Sequence, residues 1–209
     1  MTFATDLSSD AALRGALRGR RFEAVVIGGS AGGVDALVTL LPALSAGYRL
    51  PVICILHMPG DRASRLAELF DERLPLPVRE AADKEEIVPG TVYFAVPGYH
   101  LSIERDHTFS LSCEPPVHFA RPAIDVLMES AADVYGAGLV GILLTGANHD
   151  GADGMAHIRA RGGFTVVQDP SDAQVETMPV AAIERSQPNL ILPLARIHAL
   201  LPMLEMNES

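Results

Sequence analysis

The chain has 209 residues, of which 48% are hydrophobic, and its formal net charge is -10 at pH 7. This length and apolar content allow a substantial core, and we expect one α/β domain. Nucleic acid is excluded as a partner, because phosphate binding needs a basic surface. The sequence has no apolar run of roughly 18 residues and no apolar N-terminal signal, which predicts a cytoplasmic protein without membrane insertion.

The N-terminal segment is polar and rich in small residues, with arginines gathered at its end. We expect residues 1–20 to be a leader that is frayed or forms a short surface helix, because chain ends are usually poorly ordered. Residues 21–209 then form the single domain. Within this leader we expect no further domain.

The domain begins with a predicted strand, a tight turn and a helix. Phe22 and residues 24–27 form a short apolar run without polar alternation, which is typical of a strand buried on both faces of a parallel sheet. A glycine-rich turn around Ser30 follows, and from Val34 onward apolar residues recur at helical spacing. Residues 28–32 fit the pattern G-x-S-x-G, in which a sharp turn exposes a nucleophilic serine above the sheet.

The same glycines allow a second interpretation, a phosphate cradle for a nucleotide. A dinucleotide fingerprint needs glycine at positions 28, 30 and 33, but Ser30 stands where the backbone must approach the pyrophosphate. The fingerprint also needs an acidic residue after the second strand, residues 50–56, and His57 is found there. The residues favour a nucleophile, and the nucleotide-binding or protein-binding module remains the alternative.

The later elements alternate between strands and helices. Helices are predicted at 64–70, from Arg121-Pro122 to about Tyr135, at 152–161 and after Pro179. Pro122 suits the first turn of its helix. Strands are predicted at 91–96, 101–103, 109–113, 139–145, 164–168 and 190–192. This order predicts an α/β fold, with a doubly wound, mostly parallel sheet, helices on both faces and a small antiparallel hairpin. The functional crevice of such a sheet lies beyond the C-terminal ends of its strands.

Three polar residues fall at that edge of the predicted sheet. Ser30 follows the first strand, His57 follows the second, and Asp150 follows the strand at 139–145. Acyl transfer to water needs a nucleophile, a base and a carboxylate that orients the base, and this set supplies one of each. Each residue alone has an ordinary structural explanation, as a turn serine, a strand-end histidine or a helix cap. Their coincidence at one edge predicts a catalytic triad.

Neighbouring residues are candidates for holding an oxyanion or the substrate. Preorganised main-chain N–H groups near the serine are expected to bind the oxyanion, from Ala31, from Ala147 or from Met58 in the loop after the second strand. Arg121 either binds a substrate carboxylate or merely precedes a helix. His149 is expected at the mouth of the site.

Neither a metal nor a cofactor is predicted. The histidines and aspartates between positions 149 and 157 lack the H-E-x-x-H spacing of a zinc site. The two cysteines, Cys54 and Cys113, form no C-x-x-C or zinc pattern, and both are expected to be reduced and inert.

Several ordered motifs resemble one protein family. They are IGGSAGG at 27–33, HMP at 57–59, RPAIDVL at 121–127, LTGANHDGADGM at 144–155 and MPVAAI at 178–183. In these motifs the chain resembles the catalytic domain of the chemotaxis protein-glutamate methylesterases, which also deamidate receptor glutamines. The resemblance implies a doubly wound α/β fold with Ser30 as nucleophile, His57 as base and Asp150 as orienting carboxylate. It also implies that the substrate is a γ-glutamyl methyl ester on a methyl-accepting chemotaxis receptor or a similar methylated protein.

The sequence departs from the family pattern in three places. Family members usually carry an N-terminal phosphorylatable receiver domain, for which the leader is too short. The residue after the nucleophile is commonly threonine and is Ala31 here. The family's methionine-glycine pair is replaced, so that Ala147, Asn148 and His149 precede Asp150. These changes leave the main-chain N–H donors in place but bear on substrate preference. They fit a free-standing paralogue that acts on a different protein ester.

Overall fold

A seven-stranded parallel sheet forms the centre of the protein, in a computed structural model that describes residues 9–57 and 65–205. The strands, in chain order, are β1 (Ala24–Gly29), β2 (Val52–Leu56), β3 (Val78–Glu80), β4 (Val92–Phe94), β5 (His100–Ile103), β6 (Phe109–Ser112), β7 (Leu139–Leu143), β8 (Phe164–Gln168) and β9 (Leu190–Leu192). The sheet order is β3-β4-β2-β1-β7-β8-β9, and β5 pairs with β6 as a separate antiparallel hairpin.

Helices cover both faces of this sheet. They are α1 (Asp10–Leu17), α2 (Gly33–Leu40), α3 (Leu66–Asp71), α4 (Ile124–Tyr135), α5 (Ala152–Ala160), α6 (Thr177–Ser186) and α7 (Leu194–Leu200). One apolar core lies between the sheet and helices α1, α2, α3 and α7, and the other lies between the sheet, helices α4, α5 and α6, and the hairpin. The predicted doubly wound α/β class with a small antiparallel hairpin is confirmed.

The central strand shows why its sequence has no polar alternation. Val25 and Ile27 enter one core, whereas Ala24 and Val26 enter the other. Successive side chains of a strand point to opposite faces, so a strand covered on both faces must be apolar throughout. Strand β1 pairs with β2 on one side and with β7 on the other, and the loops after these three strands therefore open into one crevice.

The second half of the leader packs onto the domain as helix α1. Ser9 caps this helix by accepting a hydrogen bond from the Ala12 main chain at 3.3 Å. Leu13 and Leu17, one helical turn apart, are buried in the core that α2 and α7 share. Their spacing on one helix face explains why this segment is ordered against the domain.

Two further sequence predictions can be placed in the fold. Cys54 is buried within β2, where burial raises the pKa of its thiol, and Cys113 is exposed. No helix in the described ranges is long and apolar enough to cross a membrane.

Candidate active site

The turn that carries Ser30 is anchored to the loop after β7. The Ser30 main-chain N–H donates to the Thr145 carbonyl at 2.9 Å, and the Gly33 N–H donates back to the Ser30 carbonyl at 2.8 Å. The Thr145 hydroxyl donates to the Ala31 carbonyl at 2.9 Å. These bonds fix the serine directly above the C-terminal end of β1.

Gly32 lets the chain turn from β1 into helix α2. Its φ angle is 80°, in the left-handed region that side chains disfavour. A Cβ atom at this position would also lie 2.9 Å from the Gln174 Cβ atom. A glycine is therefore needed two residues after Ser30, for both conformation and space.

His57 and Asp150 form a short hydrogen bond across the end of β1. The distance between His57 Nε2 and Asp150 Oδ2 is 2.6 Å, and the Asp150 side chain is fully buried, whereas that of His57 is 13% exposed. An ionised carboxylate can only accept, so Nε2 carries the proton and Nδ1 of the neutral ring is the free acceptor. The Asn148 side-chain nitrogen lies 3.4 Å from that Nδ1 atom.

The carboxylate of Asp150 is also held by the N-terminus of helix α4. The main-chain N–H of Ile124 donates to Oδ2 at 2.7 Å, and that of Asp125 donates to Oδ1 at 2.9 Å. The prediction that α4 begins at Pro122 is wrong, because Ala123 is extended and the helix starts at Ile124. This later start directs the first N–H groups of the helix at the carboxylate.

The surroundings of Asp150 favour its charged form. Burial by itself raises the pKa of this group, but the hydrogen bond from His57 and the main-chain bonds from Asp125 and Ile124 outweigh it. The net result is a pKa below the usual range for aspartate. Asp150 therefore carries a negative charge at neutral pH, next to the His57 ring.

Ser30 and His57 lie on neighbouring strand ends. The His57 main-chain N–H donates to the Gly29 carbonyl at 3.3 Å, which ties the two loops together. Among the residues that the structure describes, no hydrogen bond joins the Ser30 hydroxyl to the His57 ring. Catalytic hydrogen bonds of this kind often tighten only when the substrate is bound.

Two predicted oxyanion donors have free N–H groups. Within residues 9–57 and 65–205, the main-chain N–H groups of Ala31 and Ala147 donate to no protein acceptor. Both residues are exposed at the crevice edge. Met58, the third candidate, lies outside the described residues. The side chain of His149 is exposed, and its carbonyl accepts a bond from the Ala152 N–H at 3.2 Å.

Arg121 has a clear role within the protein. Its Nη1 atom donates to the carbonyls of Cys113 at 2.9 Å and Glu114 at 3.0 Å, so the guanidinium holds the segment that follows the hairpin. Binding of a substrate carboxylate by Arg121 stays a prediction.

A second buried carboxyl group, that of Asp125, stands next to Asp150 and was missed by the sequence reasoning. Its Oδ1 atom accepts main-chain hydrogen bonds from Gly151 at 2.9 Å and Gly154 at 2.7 Å. His118 Nε2 lies 3.3 Å from its Oδ2 atom. Burial raises the pKa of Asp125 to about 7, and the charge of Asp150 acts in the same direction.

The described residues include one group of three side chains with metal-ligand chemistry, His118, Asp125 and Asp153. It differs from the histidines and aspartates considered in the sequence. Its two carboxylates already have partners, because Asp125 accepts main-chain bonds and Asp153 pairs with Arg185.

The ionisation of Asp125 should make stability depend on pH. Its pKa of about 7 in the folded protein exceeds the value of about 3.9 for an unfolded aspartate. The bound proton therefore contributes fully to the free energy of unfolding below about pH 4, and this contribution is lost as the pH rises through 7. Asp125→Asn cannot ionise, and its Tm relative to the natural protein should therefore rise between these pH values. Circular dichroism melts across this range measure the difference. Asp133→Asn, at an exposed site where the pKa is lowered, is the control, and a flat difference for Asp125→Asn would contradict the expectation.

A serine, a histidine and a buried aspartate at the crevice of a doubly wound sheet have the composition of a serine hydrolase site. Residues 25–201 match the CheB methylesterase family. The chain therefore belongs to the CheB methylesterase family.

Individual relatives agree with this assignment. A protein of Leptospira interrogans is 43% identical over 186 residues, which are 89% of this chain and 96% of that protein. The protein-glutamate methylesterase/protein-glutamine glutaminase of Symbiobacterium thermophilum is 39% identical over 173 residues, and the chain spans 48% of its length. The crystal structure of the Thermotoga maritima CheB methylesterase catalytic domain superposes with a TM-score of 0.82 at 31% identity, covering 87% of this chain and 98% of that one.

Proposed function

We propose that this protein is a serine hydrolase that removes methyl groups from γ-glutamyl methyl esters of chemotaxis receptors and deamidates receptor glutamines at the same site. The 2.6 Å hydrogen bond between His57 and the fully buried Asp150, beside the glycine turn of Ser30, is the observation that carries the proposal. Relatives named as methylesterases and glutaminases support this substrate class over a phosphate cradle.

His57 acts as the general base through Nδ1. His57 Nε2 donates its hydrogen bond to Asp150, so the proton of the Ser30 hydroxyl passes to Nδ1, the other nitrogen of the ring. The long 3.4 Å contact from Asn148 is a weak bond, which the serine hydroxyl displaces when the substrate is bound. Asp150 then stabilises the imidazolium that forms.

The free N–H groups of Ala31 and Ala147 form the oxyanion hole. Attack of Ser30 Oγ on the ester carbonyl places a negative charge on the carbonyl oxygen, and preorganised main-chain donors stabilise that charge. Because only main-chain atoms are used, alanine serves as well as threonine or methionine at these positions.

The reaction proceeds through an acyl-enzyme. Collapse of the tetrahedral intermediate breaks the bond to the methoxy oxygen, which takes the proton from His57 Nδ1 and leaves as methanol. Water then attacks the glutamyl-serine ester and gives one proton to His57 Nδ1. As the bond from the acyl carbon to Ser30 Oγ breaks, that proton passes from His57 to Oγ, and the glutamic acid product leaves as a carboxylate after losing its own proton to solvent. With a glutamine substrate, ammonia leaves in place of methanol.

Methanol release from a methylated receptor fragment tests the proposal directly. We expect the purified chain to release methanol and a serine-reactive fluorophosphonate to modify Ser30, as read by peptide mass spectrometry. Modification of Ser30 without release from any methylated receptor fragment would overturn the substrate class. An unmodified Ser30 would overturn the hydrolase itself.

A further inference from the structure

Helices α4 and α5 both begin without a side-chain cap of their own. The cap residue of α4 is Ala123 and that of α5 is Gly151, and neither supplies a side-chain acceptor. The first N–H groups of a helix have no partner within the helix and need acceptors from elsewhere. In this protein, a side chain at the start of each helix supplies the hydrogen-bond acceptor for the start of the other helix.

A carboxyl group at the start of each helix accepts hydrogen bonds from the first main-chain N–H groups of the other. Asp150, which precedes α5, accepts the N–H groups of Ile124 and Asp125 at the start of α4. Asp125, in the first turn of α4, accepts the N–H groups of Gly151 and Gly154 at the start of α5. Asp150 also lies at the positive end of helix α4, which favours its negative charge.

These reciprocal hydrogen bonds depend on close approach of helices α4 and α5. A Cβ atom at Gly154 would lie 2.6 Å from Met128 Cβ and 3.2 Å from Asp125 Oδ1, so only glycine leaves room for the bond. Asp125 is 4% exposed, so its carboxyl group has little access to water. This carboxyl group therefore links the start of α4 to the start of α5, next to Asp150.

We propose that Asp125 is a positioning residue of the triad, which holds the Asp150 loop on helix α4 and so aligns the His57–Asp150 hydrogen bond. The proposal rests on the proposed function of the site. Without the Asp125 side chain, the N–H groups of Gly151 and Gly154 lose their acceptor and the loop is free to shift. Misplacement of a catalytic group by about 1 Å costs roughly 100-fold in rate.

Three variants separate positioning from general destabilisation. Asp125→Ala removes the acceptor, and Asp125→Asn keeps an oxygen that can accept both N–H bonds. Asp133→Ala is the matched control, because Asp133 also joins α4 to α5, through His157 and Arg161, but at the opposite end of the helix pair. Asp125→Ser, with a shorter acceptor, replaces the alanine variant if that protein does not fold, and the same losses are expected.

Two measurements are made on each folded variant. For Asp125→Ala we expect kcat to fall roughly 100-fold with KM little changed, since misalignment affects the transition state more than ground-state binding. Proton NMR should show the low-field resonance of the His57 Nε2–H in the natural protein and its loss or shift in this variant. Asp125→Asn should restore both readouts, and Asp133→Ala should leave both unchanged.

The NMR readout needs no substrate, so it tests the positioning independently of the hydrolase. A folded Asp125→Ala protein with natural kcat and resonance would reduce Asp125 to a structural residue and overturn the proposal. An Asp125→Asn protein as impaired as Asp125→Ala would overturn it as well. If the resonance changes as expected but the natural protein cleaves no methyl ester, the positioning holds and the proposed function fails.

Discussion

Replacing Ser30 with alanine should lower kcat for methyl ester hydrolysis by about 10⁶-fold, the loss typical when a serine nucleophile is removed. The fold should be unaffected. The turn is held by main-chain bonds from Ser30 to Thr145 and Gly33, which alanine keeps, and the Ser30 hydroxyl makes no hydrogen bond within the described ranges. Methanol release is compared with thermal unfolding on the same sample.

Ser45→Ala is the control for this substitution, because Ser45 is an exposed loop residue after helix α2. The Ser45→Ala protein should have the kcat and the Tm of the natural protein. Substantial residual turnover in Ser30→Ala, after contaminating activity has been excluded by repurification, would show that another group attacks the ester.

Replacing Asp150 with asparagine should lower kcat on the order of 10⁴-fold, as expected when a triad carboxylate becomes an amide. Asp150 accepts three hydrogen bonds, from His57, Ile124 and Asp125, so one end of the amide must present its NH₂ group to a donor. If the NH₂ faces His57, the ring adopts the wrong tautomer. If it faces Asp125, that N–H loses its acceptor, and in both cases the charge that stabilises the imidazolium is gone.

His149→Ala provides the comparison in the same loop. The His149 side chain is exposed, so its removal should cost far less than Asp150→Asn in the same kcat assay. Equal losses in the two variants would argue for a metal held in this loop. Activity before and after treatment with a chelator would then decide between the two mechanisms.

The fold and the crevice were predictable because they depend on patterns within single segments. The apolar runs of β1, β2 and β7 identify strands covered on both faces, and the residues after them necessarily meet at one edge. The sequence therefore predicted the neighbourhood of Ser30, His57 and Asp150. Strand β3 was missed because it has only three residues, Val78–Glu80, and shows no pattern at that length; Arg79 is exposed and its two neighbours are partly buried.

Contacts between segments were not predictable in the same way. An aspartate in the first turn of a helix is common for electrostatic reasons, so the sequence of α4 does not show that Asp125 reaches the main chain of α5. For Arg121 the sequence left two interpretations open, binding of a substrate carboxylate or a place before a helix, and neither includes the hydrogen bonds that its Nη1 atom donates to the carbonyls of Cys113 and Glu114. The contacts of Asp125 and Arg121 depend on how the loops pack, which only the folded chain determines.

The place of β1 in the sheet also determines when the site can form during folding. Strand β1 pairs with β2, which follows closely in the chain, and with β7, which is separated from it by more than half of the domain. Parallel pairing of distant segments is slow, because the entropy of closing a long loop is lost before the contacts are gained. Asp150 reaches His57 only after β7 has docked. A nascent chain that has folded only its first half therefore lacks both the Thr145 anchor of the serine turn and the carboxylate beside the histidine, so the site is completed only when β7 joins the sheet.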